Sequence, residues 1–221
     1  SALISVFNKD RIGEIAQKLT DLNINIISTG GTEKFLKKLG FKVDKVEEIT
    51  EYPSIFGGRV KTLHPKVFGG ILFRRNLPDD INEKNKFEIP SIDYVIVDLY
   101  PFEQTVKDSK SHSEIIEKID IGGISLIRAA AKNYNDVVCV SCTDQYDNFI
   151  KDLDENDGVF SLETKKDYAL KAFSISSNYD NLISNYFEKG FLSETKELRY
   201  GENPHQSGKF FGNLNDVFEK L

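Results

Sequence analysis

Short apolar runs alternate along the chain with segments of helical period, and this alternation restricts the possible folds more than any other feature. An apolar run at 2–7 is followed by Ile12, Ile15, Ala16 and Leu19 at helical spacing, and a second apolar run follows at 25–28. Such a pattern is typical of βαβ units. The sequence therefore predicts an α/β fold with a mostly parallel sheet.

The same patterns give the predicted elements along the rest of the chain. Strands are expected at 2–7, 25–28, 41–49, 71–73, 93–100 and 136–142. Helices are expected at 12–19, 33–39, 79–87, 111–119, 124–131 and 161–189. Residues 50–70 are rich in Gly and Pro, so we expect a long ordered loop there, and such loops are usually functional.

Composition excludes several classes of protein. The net charge is −6 and no run of five Lys or Arg occurs, so we expect no nucleic-acid partner. No apolar stretch approaches the roughly 20 residues of a membrane span. The only two cysteines, Cys139 and Cys142, would point to opposite faces of a strand, so we expect no zinc site and no disulfide framework. We expect a cytoplasmic protein without membrane partners.

A glycine turn stands between the second predicted strand and the next helix. It consists of Ser28, Thr29, Gly30, Gly31 and Thr32. Glycines let the backbone present its N–H groups, and a helix N-terminus adds positive potential, so the turn is a candidate phosphate cradle. The alternative is a plain tight turn between strand and helix.

Cations are concentrated in the predicted loop that follows. Arg59, Lys61 and His64 lie between Gly58 and Pro65, and this density of positive charge suits an anionic ligand. The alternative is a solvated loop with scattered charges.

Two further segments carry candidate chemistry. Asp98 and Tyr100 stand at the end of the clearest buried strand, where ligands bind in open α/β sheets. Asp120 lies in a glycine turn two to three helical turns before Lys132, and a carboxylate and an amine that converge on one pocket would form an acid–base pair. The alternative is helix capping by Asp120 and a Lys132 stem that lies along the surface.

Together these segments closely resemble the N-terminal half of the bifunctional AICAR transformylase/IMP cyclohydrolase family. The matching blocks are Ser28-Thr-Gly-Gly-Thr, Gly58-Arg-Val-Lys-Thr-Leu-His-Pro, Gly69-Gly-Ile-Leu, Leu99-Tyr-Pro-Phe, Ile119-Asp-Ile-Gly-Gly and Ala129-Ala-Ala-Lys-Asn. The resemblance implies a methylglyoxal synthase-like three-layer fold, with a mostly parallel sheet flanked by helices. It implies a cyclohydrolase domain over residues 1–197. Residues 198–221, with Leu198-Arg-Tyr-Gly-Glu-Asn-Pro-His-Gln, resemble the opening segment of a truncated transformylase domain.

The resemblance also implies an activity and a set of site residues. The family closes the ring of 5-formamidoimidazole-4-carboxamide ribonucleotide (FAICAR) to give IMP, without a metal or another cofactor. The implied catalytic residues are Lys132, Lys61, Asp120, Tyr100 and Thr62, and the sequence does not decide which lysine transfers the proton. The implied nucleotide-binding residues are Lys9, Asn8, Ser28, Thr29, Gly30, Gly31, Thr32, Arg59, Asp98, Ile121 and Gly122.

Arg199, Tyr200 and His205 match transformylase residues, and that missing domain would use 10-formyltetrahydrofolate. The full-length protein is expected to be a homodimer.

The chain departs from the family pattern at three positions. Phe7 and Asn8 stand where the family often has Ser and Asp, and Phe68 stands where many relatives have His. Two alternative functions share the fold: a methylglyoxal synthase, which eliminates phosphate from a triose, and a non-catalytic nucleotide-sensing module.

Overall fold

A five-stranded parallel sheet forms the centre of the protein. The computed structural model describes residues 1–109, 111–191, 195–198 and 208–211. The strands of the sheet are β1 (Ala2–Ser5), β2 (Ile26–Ser28), β3 (Val43–Lys45), β4 (Tyr94–Val97) and β5 (Val138–Val140). They lie in the order β3-β2-β1-β4-β5, and each neighbouring pair is parallel. The predicted parallel α/β sheet is thereby confirmed.

Helices connect the strands. They are α1 (Ile12–Asp21), α2 (Gly30–Lys38), α3 (Val46–Thr50), α4 (Pro65–Leu72), α5 (Pro78–Lys86), α6 (Phe102–Asp108), α7 (His112–Glu117), α8 (Gly122–Lys132), α9 (Tyr146–Glu155) and α10 (Leu162–Phe191). Two short 3-10 turns, Phe56–Gly58 and Thr143–Gln145, lie in the loops. No helix of the described residues combines the length and the apolar composition that a membrane crossing needs.

The helices cover both faces of the sheet because successive strand residues point to opposite sides. Ile4 and Ile96 belong to a buried cluster that includes side chains of α1, α2 and α9. Leu3 and Val95, one residue earlier in each strand, belong to a second cluster with side chains of α4, α8 and α10. The result is the three-layer arrangement that the family resemblance implies.

The expected long loop at 50–70 is only partly a loop. Residues 65–70 form the first part of α4, which runs to Leu72. The short strand expected at 71–73 is therefore wrong as well. Pro65 stands at the first helical position, where its missing N–H costs nothing, and His64 caps the helix by accepting a hydrogen bond from the Lys66 N–H at 3.1 Å. Gly70 brings α4 close to the following segment, since a Cβ on it would lie 2.4 Å from the carbonyl oxygen of Pro90. These glycines and this proline therefore serve a closely packed helix.

Two other boundaries also differ from the prediction. The strand expected at 41–49 ends at Lys45, and helix α3 follows at once. The strand is short because β3 lies at the edge of the sheet and its only neighbour, β2, offers three residues for pairing. The helix expected from Glu33 begins at Gly30, so the glycine turn is itself the first turn of α2. The predicted helix at 161–189 is confirmed as α10.

A separate antiparallel pair follows α10. Its strands are β6 (Thr195–Leu198) and β7 (Gly208–Phe211), with Thr195 opposite Phe211. The predicted domain boundary between residues 197 and 198 falls inside β6 and stays a prediction. The predicted transformylase residues Arg199, Tyr200 and His205 lie outside the described residues.

Candidate active site

The carboxyl ends of the five strands share one edge of the sheet, and most of the predicted site residues lie there. The strand order reverses between β1 and β4, and ligands of open α/β sheets bind at this kind of switch point. Helices α2, α4 and α8 each begin near this edge, at Gly30, Pro65 and Gly122. Their N-termini add positive potential and free N–H groups to the site.

The glycine turn after β2 offers backbone donors to a ligand. Thr29 precedes the first turn of α2 in an extended conformation and makes no side-chain capping bond, so the first N–H groups of the helix are left for other partners. Gly30 has a φ of +57°, and a Cβ on it would lie 2.9 Å from the Nζ atom of Lys61. The Lys61 ammonium group therefore lies directly over the predicted phosphate cradle.

The hydroxyl groups of this turn are already used inside the protein. The buried Ser28 hydroxyl donates to the carbonyl oxygen of Ile4 at 2.6 Å, and the Thr29 hydroxyl donates to Glu47 Oε1 at 2.8 Å. Thr32 Oγ1 accepts from the Val6 N–H at 3.1 Å and lies 2.9 Å from the Val6 carbonyl oxygen. These three predicted residues shape the turn, whereas the free donors belong to the backbone.

The cationic loop meets the start of α8. Thr62 is buried, and its Oγ1 atom lies against Gly122, where a Cβ would come within 3.2 Å of it. Arg59 is exposed and forms an ion pair with Glu117, with Nε and Oε1 3.2 Å apart. Arg59 and Thr62 thus attach the cationic loop to the 117–122 segment, one through Glu117 and the other through Gly122.

Asp120 lies at the same junction. Its Oδ1 atom accepts a hydrogen bond from the Gly123 N–H at 2.6 Å, which caps the first turn of α8. Burial raises the pKa of Asp120, and the negative charge of Asp98 acts in the same direction, while backbone N–H groups of α8 and the charge of Lys61 oppose it. Asp98 and Lys61 thus lie close enough to Asp120 to affect its ionisation.

Asp98 holds the loop after β1 across the switch point. Its carboxylate accepts hydrogen bonds from the backbone N–H groups of Phe7 and Asn8, the latter at 2.9 Å. Burial raises the pKa of Asp98, and these N–H groups and Lys9 limit the rise. Lys9 itself turns back onto its own loop, donating to the carbonyl oxygens of Val6 at 2.5 Å and Phe7 at 2.9 Å, and burial lowers its pKa.

Aromatic rings border this edge. Tyr100 is 41% exposed, and its ring centroid lies 5.1 Å from that of Phe7. The ammonium group of Lys118 lies 5.3 Å from the Tyr100 centroid. Ile121 is also exposed at the start of α8. These side chains are available to a planar ligand.

Lys132 does not join the other predicted residues. It is exposed in the last turn of α8, whereas Asp120 lies just before the first turn. At about 1.5 Å of rise per residue, the ten steps from Gly122 carry Lys132 roughly 15 Å along the helix axis. Within one copy of the chain Lys132 and Asp120 thus stand at opposite ends of α8, and the predicted catalytic role of Lys132 stays a prediction.

The sequence interpretation missed two residues and a cavity. Glu117 and Tyr179 contact the site segments, but neither stands in a motif that distinguishes it from an ordinary surface or core position. A cavity of about 670 Å³ lies between the strand ends and α10, and Asn8, Lys9 and Asp98 are among its lining residues. Only the tertiary structure brings α10 to this edge. Among the described residues, no group of three His, Cys, Asp or Glu side chains could hold a metal ion.

Comparison with protein families gives two matches that follow each other along the chain. A family model described as "MGS-like domain" matches residues 11–125, which is more than half of the chain. A second, described as "AICARFT/IMPCHase bienzyme", matches residues 130–220.

Individual proteins are similar over most or all of the chain. A protein of Bacteroides thetaiotaomicron called "Bifunctional purine biosynthesis protein PurH" is 53% identical over 228 residues, which span 100% of this chain and 45% of the relative. The protein of the same name from Clostridioides difficile is 46% identical, over 97% of this chain and 44% of the relative. A solved structure described as "Crystal structure of ForH" is 33% identical with a TM-score of 0.75, and the match covers 84% of this chain and 95% of that one. The chain thus spans less than half the length of these curated relatives.

Proposed function

Because this chain belongs to the MGS-like domain family and matches the N-terminal part of PurH proteins, we propose that it is an IMP cyclohydrolase, which converts FAICAR to IMP and water. One observation supports the assignment of this activity to particular residues. The Lys61 ammonium group lies over the Gly30 turn and near Asp120, and Thr62 contacts Gly122 in the same region. An anion cradle and a candidate acid–base group thus share one strand edge.

The anionic half of the site suits the 5′-phosphate of the nucleotide. The uncapped N–H groups at the start of α2 and the ammonium group of Lys61 supply donors and positive charge at one point. Gly31 continues the exposed turn, and Ser28, Thr29 and Thr32 keep its shape. Arg59 adds a further cation nearby once it leaves Glu117.

The other half of the site suits the ring closure. The carboxamide nitrogen attacks the formyl carbon, the formyl oxygen gains charge in a tetrahedral carbinolamine, and that oxygen leaves as water after protonation. In this proposal Thr62 stabilises the developing oxyanion, while Lys61 stays at the phosphate cradle. Asp120 is placed to accept the proton from the nitrogen, and its raised pKa brings it nearer to the pH at which it acts.

The remaining predicted site residues orient the substrate in this proposal. Tyr100 and Ile121 present exposed side chains near this edge, and Gly122 begins α8 there, against Thr62. Asp98 fixes the backbone of Asn8, and Lys9 supports the same loop. The chemistry proposed here does not use Lys132, which stands at the other end of α8, and its predicted role stays a prediction.

The matched relatives are bifunctional and more than twice the length of the matched segment, so the properties of a complete protein are also proposals. We propose that the complete protein also transfers a formyl group from 10-formyltetrahydrofolate. We further propose that it acts in the cytoplasm as a homodimer and that its cyclohydrolase step needs no cofactor. The match of residues 130–220 to the bienzyme family model supports the formyl transfer.

The direct test is ultraviolet-monitored conversion of FAICAR to IMP by the 221-residue chain, compared with its Asp120→Asn variant. Turnover by the wild type that falls at least a hundredfold in the variant supports the proposal and this site. Conversion of a triose phosphate to methylglyoxal without turnover of FAICAR would replace the proposal with the synthase. Binding of IMP with no turnover of either substrate would replace it with a nucleotide sensor.

A further inference from the structure

The buried hydroxyl group of Tyr179 on α10 connects the long helix to the backbone of the proposed catalytic carboxylate. We propose that Tyr179 is a positioning residue that fixes the main chain at Asp120 and so sets the direction of the Asp120 side chain. This inference rests on the proposed function for its kinetic consequence. The structural part concerns only the segment 118–122.

Two hydrogen bonds define the contact. The Tyr179 hydroxyl accepts from the backbone N–H of Asp120 at 2.8 Å and donates to the carbonyl oxygen of Lys118 at 3.2 Å. One hydroxyl therefore satisfies a donor and an acceptor on either side of residue 119, in the segment between α7 and α8. Loss of this hydroxyl would leave both backbone groups without the bonds that it makes.

The ring of Tyr179 is fixed by its surroundings. It is only 6% exposed, and it packs edge-on against Phe102, with 6.1 Å between the ring centroids. Ile115 of α7 belongs to the same buried cluster. Phe102 begins α6 directly after Tyr100 and Pro101, so the ring also contacts the segment that carries the candidate phenol. Helix α10 thereby holds the two loops that present Tyr100 and Asp120.

A backbone anchor complements the N–H groups of Gly123 and Ile124, which bind the Asp120 carboxylate at the start of α8. Its Oδ1 atom is bound by the Gly123 N–H at the start of α8, while Tyr179 binds the main chain of the same residue. With both contacts the carboxylate has one orientation relative to Lys61 and Thr62. Displacement of a reacting group by about 1 Å can cost a large factor in rate.

The same helix provides a matched control. Tyr168 also lies on α10, is also 6% exposed, and donates a hydrogen bond to Asp152 Oδ2 at 3.1 Å, but this partner lies on α9, away from the Asp120 segment. Tyr179→Phe and Tyr168→Phe each remove one buried hydroxyl from one helix. Only Tyr179→Phe removes hydrogen bonds to the segment that carries Asp120.

The experiment compares kcat and KM for FAICAR in both variants, together with urea unfolding. We expect Tyr179→Phe to lower kcat about fivefold or more with KM within about twofold, as loss of positioning requires, and Tyr168→Phe to keep both values within about twofold. Equal kcat in all three proteins would overturn the inference. So would an equal fall in both variants, since that would be a general effect of α10.

Hydrogen exchange separates this inference from the proposed function. We expect Tyr179→Phe, and not Tyr168→Phe, to speed amide exchange in residues 118–124. If the wild type does not convert FAICAR, the proposed function fails and the kinetic part fails with it, while exchange still tests whether Tyr179 fixes the segment. If the wild type is active but the exchange of 118–124 is unchanged in Tyr179→Phe, the inference fails alone.

Discussion

The Nζ atom of Lys61 lies so close to Gly30 that a Cβ atom on that glycine would be 2.9 Å from it. Gly30 also has a φ of +57°, in the left-handed region that side-chain-bearing residues rarely adopt. The ammonium group and the first turn of α2 therefore share a space that only glycine leaves open.

Replacement of Gly30 tests this relationship. Gly30→Ala should weaken IMP binding at least about tenfold, because the new methyl group displaces Lys61 and strains the turn, and should cost about 1 kcal/mol of unfolding free energy. Gly40→Ala is the control: Gly40 follows α2 with a φ of +93° and nothing within 4 Å of its Cβ position. It should lose similar stability without weaker binding, as measured by calorimetric titration and urea unfolding. Equal losses of affinity in both variants would contradict the proposed contact.

The two candidate lysines should behave differently. Lys61→Ala should lower kcat/KM for FAICAR at least about a hundredfold, because it removes the cation over the cradle. Lys132→Ala should stay within about threefold of the wild type, because Lys132 is exposed in the last turn of α8. Ultraviolet assays on both variants at the same enzyme concentration make the comparison. A hundredfold loss in Lys132→Ala would show that the site geometry within this chain does not describe the active enzyme.

The ion pair between Arg59 and Glu117 should compete with the nucleotide. Both side chains are largely exposed, so the pair is readily broken, and Glu117→Gln should tighten IMP binding about two- to threefold at low salt by releasing Arg59. Arg59→Ala should weaken binding at least about tenfold, with a smaller salt dependence than the wild type. Titrations at two ionic strengths measure both effects. Weaker binding in Glu117→Gln would mean that Glu117 orients Arg59 instead of competing for it.

The buried carboxyl of Asp120 should leave a mark on the pH dependence of stability. Its folded pKa lies above the ordinary value of 3.8, so the folded state binds more protons than the unfolded state as pH rises from that value, and the charged form costs stability. Asp120→Asn removes this cost. The unfolding free energy of the variant relative to the wild type should therefore increase between about pH 4 and pH 7.

Asp80 provides a control of opposite sign. Hydrogen bonds and an ion pair with Arg74 lower the pKa of Asp80 to about 2. The stability that these contacts contribute is therefore present above the ordinary carboxyl pKa of 3.8, and it is lost as pH falls from there towards 2. Asp80→Asn should therefore lose stability relative to the wild type mainly as pH rises from about 2 to 4, with little further change above that. Urea unfolding at several pH values measures both variants. The same pH trend in both would contradict the assigned direction for Asp120.

Much of this protein follows from local patterns in the sequence. The alternation of apolar runs and helical segments predicts the parallel sheet and its flanking helices, because side-chain period is a property of a few consecutive residues. The glycine turn before α2 and the cationic loop are likewise recognisable where they stand. They predict an anionic ligand before any contact between them is known.

Only the tertiary structure decided which of these groups meet. Lys61 reaches Gly30 because the loop before α4 lies over the edge shared by the strand ends, whereas Lys132 leaves that edge because an α-helix rises with every residue. Tyr179 comes to Asp120 from a distant helix, and no local pattern marks that contact. The glycines and the proline in 50–70 predicted a loop, but Pro65 and Gly70 belong to a helix, since capping and close packing outweigh local preference. Periodicity records what each segment prefers by itself, and the site depends on contacts between segments that only the packed fold brings together.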